Sequence, residues 1–235
     1  MVITIDGPAG AGKSTIASRL AERLGYRFLD TGAMYRAVTW LAMQQGIPWN
    51  DVAALAQLAE QAEFVMQVDL VEVNGQDATE AIRSRDVTQN VRFMADQPDV
   101  REQLVRHQRA ICAGGDFVTE GRDQGTVAFP DAEVKFFVTA TPPERARRRQ
   151  RQLAEKGIAA TFEELLAEQE ERDRRDQSRP VGPLRKPDDA IEVVTDDLTI
   201  DQVVDKLCRH VEQFAASVSP RTPSSRPAPS NSKDD

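Results

Sequence analysis

Gly7-Pro8-Ala9-Gly10-Ala11-Gly12-Lys13-Ser14-Thr15 fits the pattern of glycine, four residues, then Gly-Lys-Ser/Thr, which marks a phosphate-binding loop. Its flanks fit too. Before it, Val2-Ile3-Thr4-Ile5-Asp6 is short and β-branched, as expected of a strand buried on both faces of a parallel sheet. After it, Ile16, Leu20 and Leu24, with Ala17 and Ala21 beside them, make one apolar stripe at helical spacing, ended by Gly25. Glycines let the loop curl so that successive N–H groups point at a polyphosphate, and the helix start adds its positive dipole end. Lys13 then reaches the outer phosphates, and Ser14 offers a hydroxyl where a phosphate-bridging Mg²⁺ would sit.

Working outward, Tyr26-Arg27-Phe28-Leu29-Asp30 reads as a second strand and Thr31-Gly32 as the turn into a second helix. Further strands are expected at Phe117–Glu120, Val134–Val138 and Ile191–Val194, with a last helix from Ile200 to Phe214. Alternation of this kind predicts an α/β fold with five parallel strands flanked by helices, and ligands at the carboxyl ends of the strands. The alternation breaks once. Phe64–Val68 and Leu70–Val73 are strand-like and precede Asn74-Gly75, a strong hairpin turn signal, so residues 63–95 read as a small α+β insert. The expected division is core over 1–62 and 96–150, a helical lid over 151–185, core again over 186–215, and a Ser/Pro-rich tail over 216–235 too poor in apolar residues to order.

The net charge of -8 and pI near 5.0 argue against a general nucleic-acid binder. Cys112 and Cys208 lack metal-ligand spacing and read as reduced thiols within helices; His107 and His210 read as ordinary helical residues. With a strand beginning at residue 2 and no long apolar run, the expectation is a cytoplasmic, monomeric protein without membrane contact.

A phosphate-binding loop says only nucleotide. A guanine-reading Asn-Lys-X-Asp and an Asp-X-X-Gly sensor, both needed by a GTPase switch, occur nowhere in the chain. Transferases that join two phosphorylated substrates need cations around both, because charge builds on the moving group and the substrates repel each other. Arginines follow every relevant strand: Arg36, Arg122, the group from Arg145 to Arg151, and Arg172, Arg174, Arg175 and Arg179. Half or more of the helical ones pair with the acidic run from Glu163 to Glu171, but Arg122, between glycines at a strand end, has no helical partner.

Together with the first loop, Leu29-Asp30-Thr31-Gly32-Ala33-Met34-Tyr35-Arg36, Glu120-Gly121-Arg122-Asp123-Gln124-Gly125-Thr126 and Arg172-Asp173-Arg174-Arg175-Asp176-Gln177-Ser178-Arg179 resemble the motif set of bacterial cytidylate kinases, in unbroken order from residue 2 to about 214. The resemblance implies a P-loop NTPase core, a monophosphate-binding insert, and transfer of the γ-phosphate of ATP to CMP or dCMP with Mg²⁺. It places Thr31, Tyr35 and Arg36 in the acceptor site, Arg101 and Asp123 at the cytosine, and Arg122 at the acceptor phosphate. Arg172 and Asp176 would hold sugar and phosphate, Arg179 would bind phosphate at the closing lid, and Arg148 and Arg149 are candidates to clamp the moving phosphoryl. Glu120 is a candidate Mg²⁺ partner through water, or else an ion-pair partner of an arginine. Arg92 stands where relatives often carry a serine near the base. The competing readings are a kinase for UMP, AMP or shikimate, and a nucleotide-binding module without turnover.

Overall fold

A computed structural model of the chain describes residues 1–155 and 157–218. In chain order the first half comprises β1 (Val2–Asp6), α1 (Lys13–Leu24), β2 (Arg27–Asp30), α2 (Thr31–Gln44), α3 (Val52–Gln61), β3 (Phe64–Met66), β4 (Val71–Val73) and β5 (Gln76–Asp77). The second half comprises α4 (Arg85–Ala95), α5 (Pro98–Cys112), β6 (Phe117–Gly121), β7 (Val134–Thr139), α6 (Pro142–Glu155), α7 (Phe162–Ser178), β8 (Ile191–Val194) and α8 (Ile200–Val218). A short 3-10 turn, Ala81–Arg83, precedes α4, and a π turn, Gln124–Ala128, follows β6.

The main sheet has the order β2-β6-β1-β7-β8, all pairs parallel. This is the five-stranded parallel core expected of the sequence. Alternation along the strands divides the interior in two. Ile3, Ile5, Val118, Phe136 and Val138 pack with Ile16 and Leu20 of α1 and Val204 and Leu207 of α8. Leu29 and Phe117, pointing the other way, join α2, α3, α4 and α5 in a second cluster that also buries Val71 and Val73 of the small antiparallel sheet β3-β4-β5. β1 is buried on both faces as read from the sequence, although its second face is polar: Thr4 and Asp6 are buried on the side away from Ile3 and Ile5.

α4 carries Thr, Asn and two Val, all modest helix formers, and its helical character rests on burying Val87, Met94 and Ala95 behind the Ser84 cap. α8 continues past Phe214 through Val218, and the rest of the expected tail lies outside the described residues. Thr161 starts α7 with the capping box that its Glu164 predicts. No helix among the described residues is long and apolar enough to cross a membrane.

Phe136 is fully buried at the heart of the α1/α8 side. Phe136→Ala should cost about 3–5 kcal/mol of folding free energy, read as a lowered urea midpoint with unchanged slope.

Candidate functional site

Register brings the loops together. Asp6 at the end of β1 lies opposite Gly121 of β6 and Phe137 of β7, and Asp30 at the end of β2 lies opposite Glu120. The Gly7–Thr15 loop, the start of α2 and the Arg122–Gly125 turn therefore leave the same edge of the sheet side by side, as the carboxyl-end rule requires. Gly7 has φ 149°, and a Cβ there would run into the Val138 carbonyl oxygen of β7, so only glycine lets the loop pass this close to the sheet.

Lys13 is buried at the start of α1, and its Nζ donates to the Pro8 carbonyl at 2.9 Å, folded back over its own loop. Burial, followed by the repulsion of Arg122, holds its pKa well below the usual lysine range. Arg122 is thus the neighbouring charge that acts most strongly on Lys13. Ser14 Oγ donates to Glu120 Oε1, and Thr31 Oγ1 donates to the Glu120 carbonyl at 2.7 Å. Burial and the nearby Asp30 raise the Glu120 carboxyl. Glu120 thus faces the loop hydroxyl, and no arginine bonds to it among the described residues.

Opposite Lys13 the arginines form a network. Arg122 Nε donates to Asp176 Oδ2 at 2.8 Å, and Arg179 Nη2 meets the other oxygen, Oδ1, at 2.7 Å. Burial alone would raise the Asp176 carboxyl, but Arg122, Arg179 and Arg172 together hold it below the usual range. Arg179 Nε also reaches Asp96, at the end of α4, at 2.9 Å, so one guanidinium ties α7 to the insert. Arg172 has no ion pair among the described residues; crowding by protein and by Arg122 pushes its pKa down to about 10. A guanidinium without an ion pair beside other arginines offers its N–H donors to an anion.

Deeper in, Arg101 pairs with Asp123, both nearly excluded from solvent, and also donates to the Ala95 carbonyl at 3.1 Å. Its guanidinium lies 5.5 Å from the Tyr35 ring centroid, and burial pushes the Tyr35 phenol up to about 12. Arg36 is held by Asp30, which also caps α2 by accepting from Ala33 N at 2.8 Å. Arg92 is exposed and lies over the Phe93 ring at 4.7 Å.

Contacts and close charges thus link Arg122, Arg172, Asp176 and Arg179 to one another and to Lys13, and Arg101, Asp123 and Tyr35 to Arg179, on the edge where Ser14 and Thr31 bond to Glu120 and Arg36 lies near Arg172. The two lid candidates differ. Arg148 donates to Thr195 O at 2.6 Å, to Thr195 Oγ1 at 3.0 Å and to Glu144 at 3.0 Å, bracing α6 against the end of β8. Arg149 is exposed and has no ion pair among the described residues. A residue the sequence did not single out does more: Arg145 is buried, donates to Ala9 O of the loop at 3.0 Å and to Ala140 O at 2.9 Å, and grips Asp173 of α7 with both terminal nitrogens. Nothing in a run of arginines distinguishes the buried one, since its role depends on where α7 docks.

A family model described as cytidylate kinase matches residues 3–213. The chain is 55% identical over 213 residues to a cytidylate kinase of Rhodopirellula baltica, covering 91% of this chain and 93% of that one. It is 46% identical over 215 residues to a cytidylate kinase of Anoxybacillus flavithermus, covering 90% and 96%. It is also 50% identical over 213 residues to a bifunctional pantoate ligase/cytidylate kinase of a Synechococcus strain, covering 88% of this chain but only 39% of that longer protein. Among solved structures, an uncharacterized protein from Eubacterium ventriosum shares the fold with a TM-score of 0.50 at 12% identity, over 90% of this chain and 98% of that one.

Proposed function

The chain belongs to the cytidylate kinase family, and from that premise we propose that the Gly7–Thr15 loop holds ATP while the arginine-lined side of the cleft receives CMP or dCMP. The enzyme is a nucleoside monophosphate kinase that phosphorylates CMP and dCMP to the diphosphates. The observation that supports the site assignment is the register that brings the loop of Lys13 and the turn of Arg122 to one edge of the sheet, with Asp123 of the buried Arg101–Asp123 pair in the same turn.

The chemistry asks little of any one base. An acceptor phosphate oxygen is already anionic, so the protein's task is to align it with the γ-phosphorus and to neutralise charge as it moves. In this reading the backbone N–H groups from Gly7 to Thr15 cradle the triphosphate, and Lys13 leaves the Pro8 carbonyl for the outer phosphates. Arg36, Arg122 and Arg172 bind the acceptor phosphate, with Arg179 beside them at the lid end. Thr31 and Tyr35 wall the acceptor pocket, and Asp176 orients Arg122 and Arg179 and faces the sugar. Arg149, unpaired, is the freer of the two lid candidates for the moving phosphoryl; Arg148 would first have to leave Thr195. The residues present fit Mg²⁺: the Ser14 hydroxyl, held by the Glu120 carboxylate, is an oxygen donor at the end of the loop, so Ser14 would hold the ion together with phosphate oxygens, with Glu120 behind it. When bound, Mg²⁺ would supply charge neutralisation across the bridging phosphates.

The base is read at Asp123 and Arg101: a carboxylate accepts from the cytosine amino group, and a guanidinium donates to the ring nitrogen or carbonyl oxygen. The direct test is ADP release with CMP, dCMP, UMP, AMP and shikimate as acceptors. CMP and dCMP should be preferred; UMP or AMP turning over equally well would overturn the cytidine assignment. Asp123→Asn keeps the shape but offers an amide that can donate to uracil O4, so the CMP-to-UMP ratio of kcat/KM should fall by roughly ten- to a hundredfold.

A further inference from the structure

We propose that Asp6 is a positioning residue that sets the Arg122–Gly125 turn against the phosphate-binding loop, so that the acceptor and donor pockets share one fixed point. The inference rests on the assignment of Arg122 to the acceptor phosphate. Asp6 is the last residue of β1, directly before Gly7. Alternation turns its side chain away from the Ile3/Ile5 core, to the side where Thr4, Thr119, Gln108 and Gln124 are buried. There the carboxylate is fully buried and accepts two backbone bonds, from Gln124 N at 2.9 Å and Gly125 N at 2.7 Å. Those amides begin the π turn that follows Arg122 and Asp123 without a break.

The choice of residue is costly. A buried carboxylate is normally balanced by a cation, but no cationic side chain bonds to Asp6 among the described residues. The charges facing it are Lys13 and Arg122, which favour its ionised form, and Asp123, which opposes it; burial pushes its pKa up to about 6 despite the two amide bonds. What a carboxylate gains over any neutral side chain of this size is two acceptor oxygens for two converging N–H groups. An asparagine would satisfy one and turn its own NH₂ on the other. The neighbouring polar groups do not duplicate the tie. Gln124 Nε2 bonds to Gln108, and the Thr4 and Thr119 hydroxyls have no partner among the described residues. Beyond the strand ladder, Asp6 is then the side-chain link between β1 and the turn that carries Arg122.

Asp6→Asn should lower kcat/KM for CMP by roughly a hundredfold, since small misplacements in an in-line transfer are that expensive. ADP affinity, measured by calorimetry, should change far less than that, because both hydrogen bonds of the carboxylate go to the acceptor side and Lys13 meets it through charge alone. In an Arg122→Ala background the same substitution should add less than about threefold, as two residues acting through one group are not additive. Circular dichroism checks folding, and if Asp6→Asn does not fold, Asp6→Ser, which leaves space for a water, carries the same measurements. Wild-type turnover in the variant, a full penalty in the Arg122→Ala background, or equal loss of ADP and CMP binding would each overturn the proposal. A wild-type protein that binds ATP but ignores CMP would instead overturn the assignment of the acceptor pocket, and this inference with it.

Discussion

Lys13→Ala is expected to slow phosphoryl transfer by at least about 10³-fold, or roughly 4 kcal/mol of barrier, in single-turnover assays with ATP and CMP. Lys13 is buried and already carries an electrostatic burden, with burial and Arg122 both disfavouring its charge. A polyphosphate relieves that burden, so the interaction strengthens as negative charge arrives, which is the condition for lowering a barrier. The folded protein should tolerate the change: it removes a buried cation, and its one hydrogen-bond partner is the Pro8 carbonyl. The depressed pKa has a consequence with a definite sign. In the free enzyme the charged form is present at low pH and is lost as pH rises, earlier than for an ordinary lysine, so ATP affinity should decline on the alkaline side, and this limb should be absent from Lys13→Ala.

The second large effect is expected at Arg122. Arg122→Ala should reduce turnover by about 10²- to 10³-fold, with KM for CMP rising and ATP affinity little changed, as measured by initial rates over both substrates. It removes more than one charge. Asp176 would keep Arg179 but lose the guanidinium that grips its other oxygen, and its carboxyl would move back up. A carboxyl held low in the folded state contributes stability above its unfolded pKa and loses it as pH falls through the folded one. Arg122→Ala should therefore be less stable than the parent above the unfolded carboxylate pKa and should lose less as pH falls, visible as a thermal midpoint that starts lower and depends less on acid. If turnover stayed at the parental level, Arg122 would have no place in the chemistry.

Much of this was legible before any coordinates. The loop from Gly7, flanked by a β-branched strand and an amphipathic helix, has little choice of fold, because each neighbour independently demands the same strand–loop–helix turn. Arg122 pointed to a second anion site because an arginine between glycines at a strand end has no partner on its own segment; the Asp176 that bonds to it comes from α7. What escaped were residues whose meaning is set by distant docking. Arg145 looks like its neighbours until α7 places Asp173 against it. Asp6 reads as the end of a strand until the Gln124 and Gly125 amides arrive from a segment more than a hundred residues away. Helix α4 has weak local propensity and is held by the cluster it completes. The chemistry of Arg92 was likewise unreadable, since its stacking on Phe93 depends on the rotamers of α4.

The division of the interior has a bearing on how such an enzyme can change. Phe117 and Val118, adjacent on β6, belong to different hydrophobic clusters, one backing the helices that carry Tyr35 and Arg101 and the other backing the helix that carries Lys13. Volume changes on one side are therefore shielded from the other by a single layer of backbone. New acceptors can be selected by repacking around α2 to α5 while the fuel-handling half keeps its shape, and drift in α1 and α8 need not disturb which nucleobase is admitted.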